Sequence, residues 1–304
     1  MVSYDILKTK PHLFKSFTGL SLEAFNALLP AFEKAYGCHL DTRDHQRHTP
    51  RQRQRGAGRQ GAISGIEDKL LFILVYFRFY PIQVLQGFLF GMGQAQANEW
   101  IHRLTPVLNA ALGRKQQLPA RQSKDVGEIL ARCPGLDFLI DGTERPIRRP
   151  KAPDRQKKAY SGKKKRHTVK NIVIVDKRKG KIAGLSPTVE GKKHDKKATD
   201  EWQPEFPAGS SLGKDTGFQG YEPPGVKTWQ PKKKPKGKEL TPEEKAQNTA
   251  FARERIGVEH SIGGVKVFAI VREIYRNLKD DFDDLVMETA CGLHNLRKDY
   301  PLAA

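Results

Sequence analysis

The hydrophobic pattern of this chain changes period near Cys133, and that change demands two kinds of architecture in one protein. Upstream, apolar residues recur at three- and four-residue spacing; downstream, they fall into short blocks of strand length. Leu22, Phe25, Leu28, Leu29 and Phe32 mark one helix face within residues 1–37, with Ser21 placed to cap it. Ile66–Tyr80 predicts a strongly apolar helix stopped by Pro81, and Ile82–Phe90 a short second one. Gly91-Met92-Gly93 makes a tight turn into a third helix, Gln94–Leu112, with Trp100, Ile101, Leu104 and Leu108 on one side. Beyond Cys133, Leu136–Ile140, His167–Asp176 and Lys181–Val189 predict strands, the last two joined by a hairpin turn at Lys177–Gly180. Asp195–Trp202 reads as a helix, Ser211–Asp215 as a short strand, and 243–271 and Asp281–Leu296 as helices. Hairpin strands, helix, strand and helices in that order predict a mixed α/β domain behind an α-helical one.

Two stretches break the pattern. Residues 41–61 are rich in Arg, Gln, Gly and His and read as a basic linker or arm. Residues 221–243 are rich in Pro and Lys and predict a mobile basic loop, at about 221–250 in all. The expected organisation is an N-terminal helical segment and linker at 1–60, a helical domain at 61–130, and the mixed α/β domain at 131–304.

Charge narrows the function. The 304 residues carry a net +20, and 38% hydrophobic residues suffice for a core. Between Asp141 and Asp200 there are 20 Lys and Arg against 7 Asp and Glu, a net +13 in one-fifth of the chain. Such an excess implies a polyanionic partner, nucleic acid before anionic membrane. No apolar run approaches the roughly 18–20 residues that span a bilayer. No basic segment followed by an apolar core opens the chain as a secretion signal. Cys38, Cys133 and Cys291 are scattered, which disfavours a disulfide framework or a zinc site and suits reduced thiols in the cytosol.

The two short helices and their glycine turn outline a helix-turn-helix. Its second helix would offer Gln94, Gln96, Asn98 and Arg103 to a DNA major groove or its phosphates; a plain three-helix bundle is the competing reading. In the second half, Asp141 closes an apolar strand run, Asp215 precedes a glycine turn, and Glu259 shares a helix face with Arg255 and Lys266. Three convergent carboxylates would hold divalent metal by oxygen. Taken singly, each is more ordinarily a turn, cap or surface-pair residue, and Asp137, Glu144, Asp176, Asp195 and Glu254 compete on spacing alone. His167, His194 and His260 form no short-spaced ligand pair, and no Ser or Cys nucleophile signature is present.

Several blocks in series resemble the Insertion Sequence 5 transposases and their eukaryotic Harbinger relatives. Ile140-Asp141-Gly142-Thr143-Glu144-Arg145-Pro146 is similar to that family's first-aspartate block, and Tyr160–Lys170, with Lys163, Lys164, Lys165 and Arg166, to its basic hairpin. Gly191-Lys192-Lys193-His194-Asp195 resembles its His-Asp block, Asp215-Thr216-Gly217-Phe218-Gln219-Gly220 its second-aspartate block, and Arg255–His260 with Lys266 its glutamate helix. The resemblance covers roughly residues 60–300. It implies a ribonuclease H-like core with Asp141, Asp215 and Glu259 as catalytic, metal-binding acids for two Mg²⁺ ions, with Mn²⁺ as a substitute. It implies hydrolysis at transposon ends and attack of the freed 3′-hydroxyl on target DNA. Arg255 and Lys266 would hold phosphates, and His194 would support the site. Lys214 and His260 carry no assignment. Double-stranded DNA is the implied partner, with a homodimer or higher oligomer on DNA and no membrane; the implied location is a bacterial nucleoid in the cytoplasm, or a nucleus. The alternatives are a transposase-derived DNA-binding protein without catalysis and a basic RNA-binding or structural protein.

Overall fold

A computed structural model describes residues 1–46, 61–234 and 239–301. Most of the expected linker lies outside these residues; its first part, to His45, continues a helix. The described residues divide into two compact units. The first comprises those of Met1–Leu118, Val267–Val271 and Leu285–Ala304; the second comprises those of Pro119–Lys266 and Arg272–Asp284.

The first unit is helical. It holds α1 (Tyr4–Leu7), α2 (Pro11–Thr18), α3 (Leu22–His45), α4 (Ile66–Phe79), α5 (Gln83–Leu89) and α6 (Gln94–Arg114). The Ser21 hydroxyl accepts from the Ala24 N–H at 3.1 Å, so the expected cap forms. Lys69 to Phe77 of α4 are buried without a break, as expected of a helix apolar on all sides. Truncating one fully buried aromatic there, such as Phe72, should cost about 3–5 kcal/mol. Tyr80 ends α4 in the left-handed region at φ 49°, and Pro81 prevents continuation. Then α5, a turn with Gly91 at φ 67°, and α6 follow at the expected boundaries.

The second unit is built on a seven-stranded sheet. Its elements are α7 (Ser123–Ala131), β1 (Asp137–Pro146), α8 (Pro153–Ala159), β2 (Tyr160–Ser161), β3 (Arg166–Asp176), β4 (Lys181–Leu185), β5 (Val189–Glu190), α9 (Asp195–Trp202), β6 (Ser211–Lys214), β7 (Lys227–Trp229) and α10 (Pro242–Val265). The last helix, α11 (Phe282–Asp299), starts in this unit and continues in the first. The main strand order is β2-β3-β1-β6-β7, with β4 and β5 also paired to β3. β1, β3 and β4 run antiparallel, whereas β1, β6 and β7 run parallel. This mixed sheet, with helices packed on it, is consistent with a ribonuclease H-like core. The side chains of Phe138, Ile140, Ile172, Ile174, Leu212 and Phe218 pack with Val126 and Leu130 of α7 and Ala198 and Trp202 of α9.

The Pro- and Lys-rich stretch differs from the loop expected there. Lys227–Trp229 pairs in parallel with β6, and the Trp229 ring meets Phe251 of α10 edge-on at 4.8 Å. Three residues between prolines carry no strand pattern of their own; the neighbouring strand and the Phe251 ring order them. The stretch ends earlier than expected too, because Thr241 and Glu244 form a reciprocal capping box with Pro242 in the first turn of α10. Residues 235–238 lie outside the described residues.

Candidate active site and nucleic-acid interface

Asp141 and Asp215 are brought together by the sheet register. Ile140 pairs with Lys214 across the parallel strands β1 and β6, so the next residue on each chain is an aspartate at the same level. The first continues along β1 and the second begins the loop after β6. Each spends one oxygen locally. Asp141 Oδ1 accepts from the Gly142 N–H at 2.8 Å, and Asp215 Oδ1 accepts from the Thr216 N–H and hydroxyl. The other oxygen of each faces the same group, the guanidinium of Arg255.

Arg255 lies on α10, which packs across β1; Val258 is fully buried there. Its Nη2 is 3.4 Å from Asp141 Oδ2 and 3.6 Å from Glu259 Oε1, and its Nη1 is 3.6 Å from Asp215 Oδ2. One guanidinium thus neighbours all three acids singled out from sequence. None of the three contacts reaches the roughly 2.7–2.9 Å of a good charge-assisted hydrogen bond. The Arg255 Nε is buried without a hydrogen-bond partner. Burial pushes the Asp141 carboxyl above its ordinary value; Arg255 and the Gly142 N–H pull it down, and Asp215 and Asp195 push it further up. Burial therefore outweighs the pull of Arg255.

A fourth acid adjoins the two aspartates. A Cβ on Gly142 would stand 2.8 Å from Asp195 Oδ1, and one on Gly217 would stand 3.0 Å from Oδ2. The Asp195 carboxylate therefore sits between the two aspartate loops, and the glycines of both motifs leave room for it. Lys170, almost fully buried, neutralises Asp195 at 2.7 Å and donates to the Lys193 carbonyl at 2.8 Å. Glu144 accepts from the Thr168 hydroxyl at 2.8 Å. In the sequence Asp195 is one competing acid among several, and the signal that sets it apart is the glycine of each aspartate motif, Gly142 and Gly217. Lys214, given no weight in the sequence, is 1% exposed and donates to the Tyr221 carbonyl and Glu222, tying down the loop after Asp215.

The cations are distributed unevenly. Lys266 caps the C-terminus of α10, and burial lowers its pKa; Lys164 lowers it further, while Asp141 and Glu144 act the other way. Lys163, Lys164, Lys165 and Arg166 are all exposed on the turn and edge between β2 and β3. His194 is exposed at the N-cap of α9 and makes no side-chain cap bond. In the helical unit, Gln94, Gln96 and Asn98 are exposed on the first turns of α6. Gln96 accepts from the Gly93 N–H at 3.3 Å, and Asn98 accepts from Gln83 on α5 at 2.8 Å. Arg103 is paired with Glu99 and stacked 4.7 Å over the Trp100 ring.

The donor set at Asp141, Asp215 and Glu259 is all oxygen and under-neutralised, which fits a hard divalent cation. Among the described residues, no three His, Cys, Asp or Glu side chains are gathered as a ready metal site. Here the acids surround a guanidinium. No helix among the described residues is long and apolar enough to cross a membrane.

Comparison with known proteins gives the family. Residues 140–295 match the family described as DDE superfamily endonuclease, and residues 65–114 match the helix-turn-helix of DDE superfamily endonuclease. The chain is 28% identical over 284 residues to the "Probable transposase for insertion sequence element IS702" of Microchaete diplosiphon, covering 93% of each. No solved structure matches it significantly. A mixed sheet that sets two aspartates side by side, a helix that brings a glutamate to them, and a helix-turn-helix ahead of both thus coincide with the matched segments, and the chain belongs to the DDE superfamily endonucleases.

Proposed function

We propose that this protein is a DNA transposase, of the Insertion Sequence 5 type, that cuts at the terminal inverted repeats of its element and joins the freed 3′-hydroxyls to target DNA. The observation that carries this reading is the meeting of Asp141, Asp215 and Glu259 on one guanidinium in a chain of net charge +20. The three carboxylates would hold Mg²⁺, or Mn²⁺ in its place. Such ions, when bound in a pair, activate a nucleophile at neutral pH and relieve charge on the attacking and leaving oxygens.

The chain's own residues do the rest. Asp141 and Asp215 are fixed through their loop-bonded oxygens, so their second oxygens are aimed in advance. Arg255, Lys164 and Lys266 bind the phosphates flanking the scissile bond, and Lys163, Lys165 and Arg166 follow the backbone further out. Gln94 and Asn98 read base edges from the exposed start of α6, which Gln96 caps, and Arg103 supports that helix and reaches phosphate. In the first reaction, water attacks phosphorus and the P–O3′ bond breaks, leaving a 3′-hydroxyl on the element. In the second, that hydroxyl attacks a target phosphate and displaces the target strand's 3′-oxygen. One phosphodiester replaces another, so no energy source is needed. Holding two element ends at once calls for at least a homodimer on DNA.

The test is Mg²⁺- or Mn²⁺-dependent nicking of a duplex carrying the element's inverted repeat. Asp141→Ala, Asp215→Ala and Glu259→Ala should each lose activity by about a thousandfold or more, the several kcal/mol that metal-assisted chemistry supplies. Wild-type rates in all three variants would refute the site. A wild-type protein that binds the repeat and never nicks it would instead give a transposase-derived DNA-binding protein.

A further inference from the structure

We infer that Arg255 is a built-in counter-ion for the catalytic acids, holding the cation position until metal arrives and then transferring to DNA phosphate. This rests on the reading of Asp141, Asp215 and Glu259 as the metal-binding acids. Three carboxylates from a strand, the loop after a second strand and a helix would repel one another without a cation among them. The guanidinium stands 3.4, 3.6 and 3.6 Å from them, near all and well bonded to none. It brings one positive charge to three negative ones, and its Nε is buried without a partner. A group held this way keeps the acids assembled and is readily displaced.

Displacement follows from charge and distance. Mg²⁺ binds carboxylate oxygens at about 2.0–2.1 Å, far closer than the guanidinium approaches them. Two divalent ions and a guanidinium would repel strongly if crowded among the same oxygens. Arg255 is 21% exposed and Glu259 61% exposed, so the side chain has an open route outward. Asp195 is already paired with Lys170 at 2.7 Å. A phosphate offers Arg255 a new partner: the planar fork of a guanidinium matches two phosphate oxygens. Metal and DNA phosphate should therefore bind cooperatively, since each favours the withdrawn position of Arg255.

The test uses the full chain without DNA and reads Mn²⁺ binding by electron paramagnetic resonance, so cleavage does not enter. Arg255→Gln should bind Mn²⁺ about tenfold or more tighter than wild type, within the usual span of coupling between sites. Arg255→Lys keeps a displaceable cation and should stay close to wild type, while Asp141→Asn should weaken binding. Tightening absent in Arg255→Gln, with Asp141→Asn still weakened, overturns the inference and leaves the acid site standing. Wild-type Mn²⁺ binding in Asp141→Asn, Asp215→Asn and Glu259→Gln overturns both. Should Arg255→Gln not fold, the wild type carries the test through phenylglyoxal modification at residue 255, located by mass spectrometry. Modification should be several-fold faster in Ca²⁺ than in EDTA; equal rates would overturn the inference.

Discussion

Two helices of this protein carry the same local pair, an arginine and a glutamate four residues apart, and use it in opposite ways. On α6, Glu99 precedes Arg103, the more favourable order along a helix, and the pair is closed: Arg103 bonds Glu99 and stacks on Trp100. On α10 the order is reversed, and Arg255 is shared among Glu259, Asp141 and Asp215 at longer distances. Spacing along a helix cannot distinguish a surface ion pair from part of an active site. What distinguishes them is the charge that other strands deliver to the same place.

Substitutions should separate the pairs sharply, beginning with catalysis. Asp141→Asn should cut nicking by about a thousandfold, several kcal/mol of lost metal-assisted catalysis, while Glu99→Gln leaves the rate nearly unchanged. Comparable losses in both would mean that the closed pair also serves the chemistry. The next effect concerns sequence choice. Replacing Gln94 or Asn98 by Ala should cost about 1–3 kcal/mol of discrimination between cognate and altered repeats, read by competition binding. Lys164→Gln should instead weaken all duplexes alike and flatten the salt dependence by about one unit of log–log slope. Affinity of the wild type that is flat between low and physiological salt would contradict phosphate-driven binding.

Stability effects are smaller. The fold favours protonated Asp141, because burial raises its pKa above the ordinary 3.8. Its contribution to stability is thus fully present below the ordinary carboxylate range and lost as pH rises through the raised value. In EDTA at neutral pH, Asp141→Asn should melt a few degrees above wild type, and the gap should close on acidification. A gap that widens toward acid would reverse the sign assigned to Asp141. Arg103→Ala should cost about 1 kcal/mol or less, since its partner Glu99 is 64% exposed.

Much of this was legible in the sequence, for identifiable reasons. The apolar run of α4, the glycine turn before α6, and strand β3 carry strong periodic signals, and the structure places these elements within a residue or two of expectation, whereas β1 runs past the expected Ile140 to Pro146 because β3 pairs with it that far. Asp141 and Asp215 stand out because one closes an apolar run and the other precedes a glycine turn, and register aligns them. Other features depend on tertiary partners that no local pattern encodes. Strand β7 exists because β6 pairs with it and Trp229 finds Phe251. Asp195 and Lys170 come together from a helix start and a strand. The lysine before Asp215 reads as one more surface charge, yet its ammonium finds a backbone carbonyl and Glu222 inside the loop.

The most direct measurement is anomalous diffraction at the manganese edge from crystals of the full chain soaked in Mn²⁺. Strong scattering between Asp141 and Asp215, with Glu259 alongside and the Arg255 guanidinium withdrawn, is the expected result. Manganese bound only elsewhere, with Arg255 still lodged among the three acids, would contradict it.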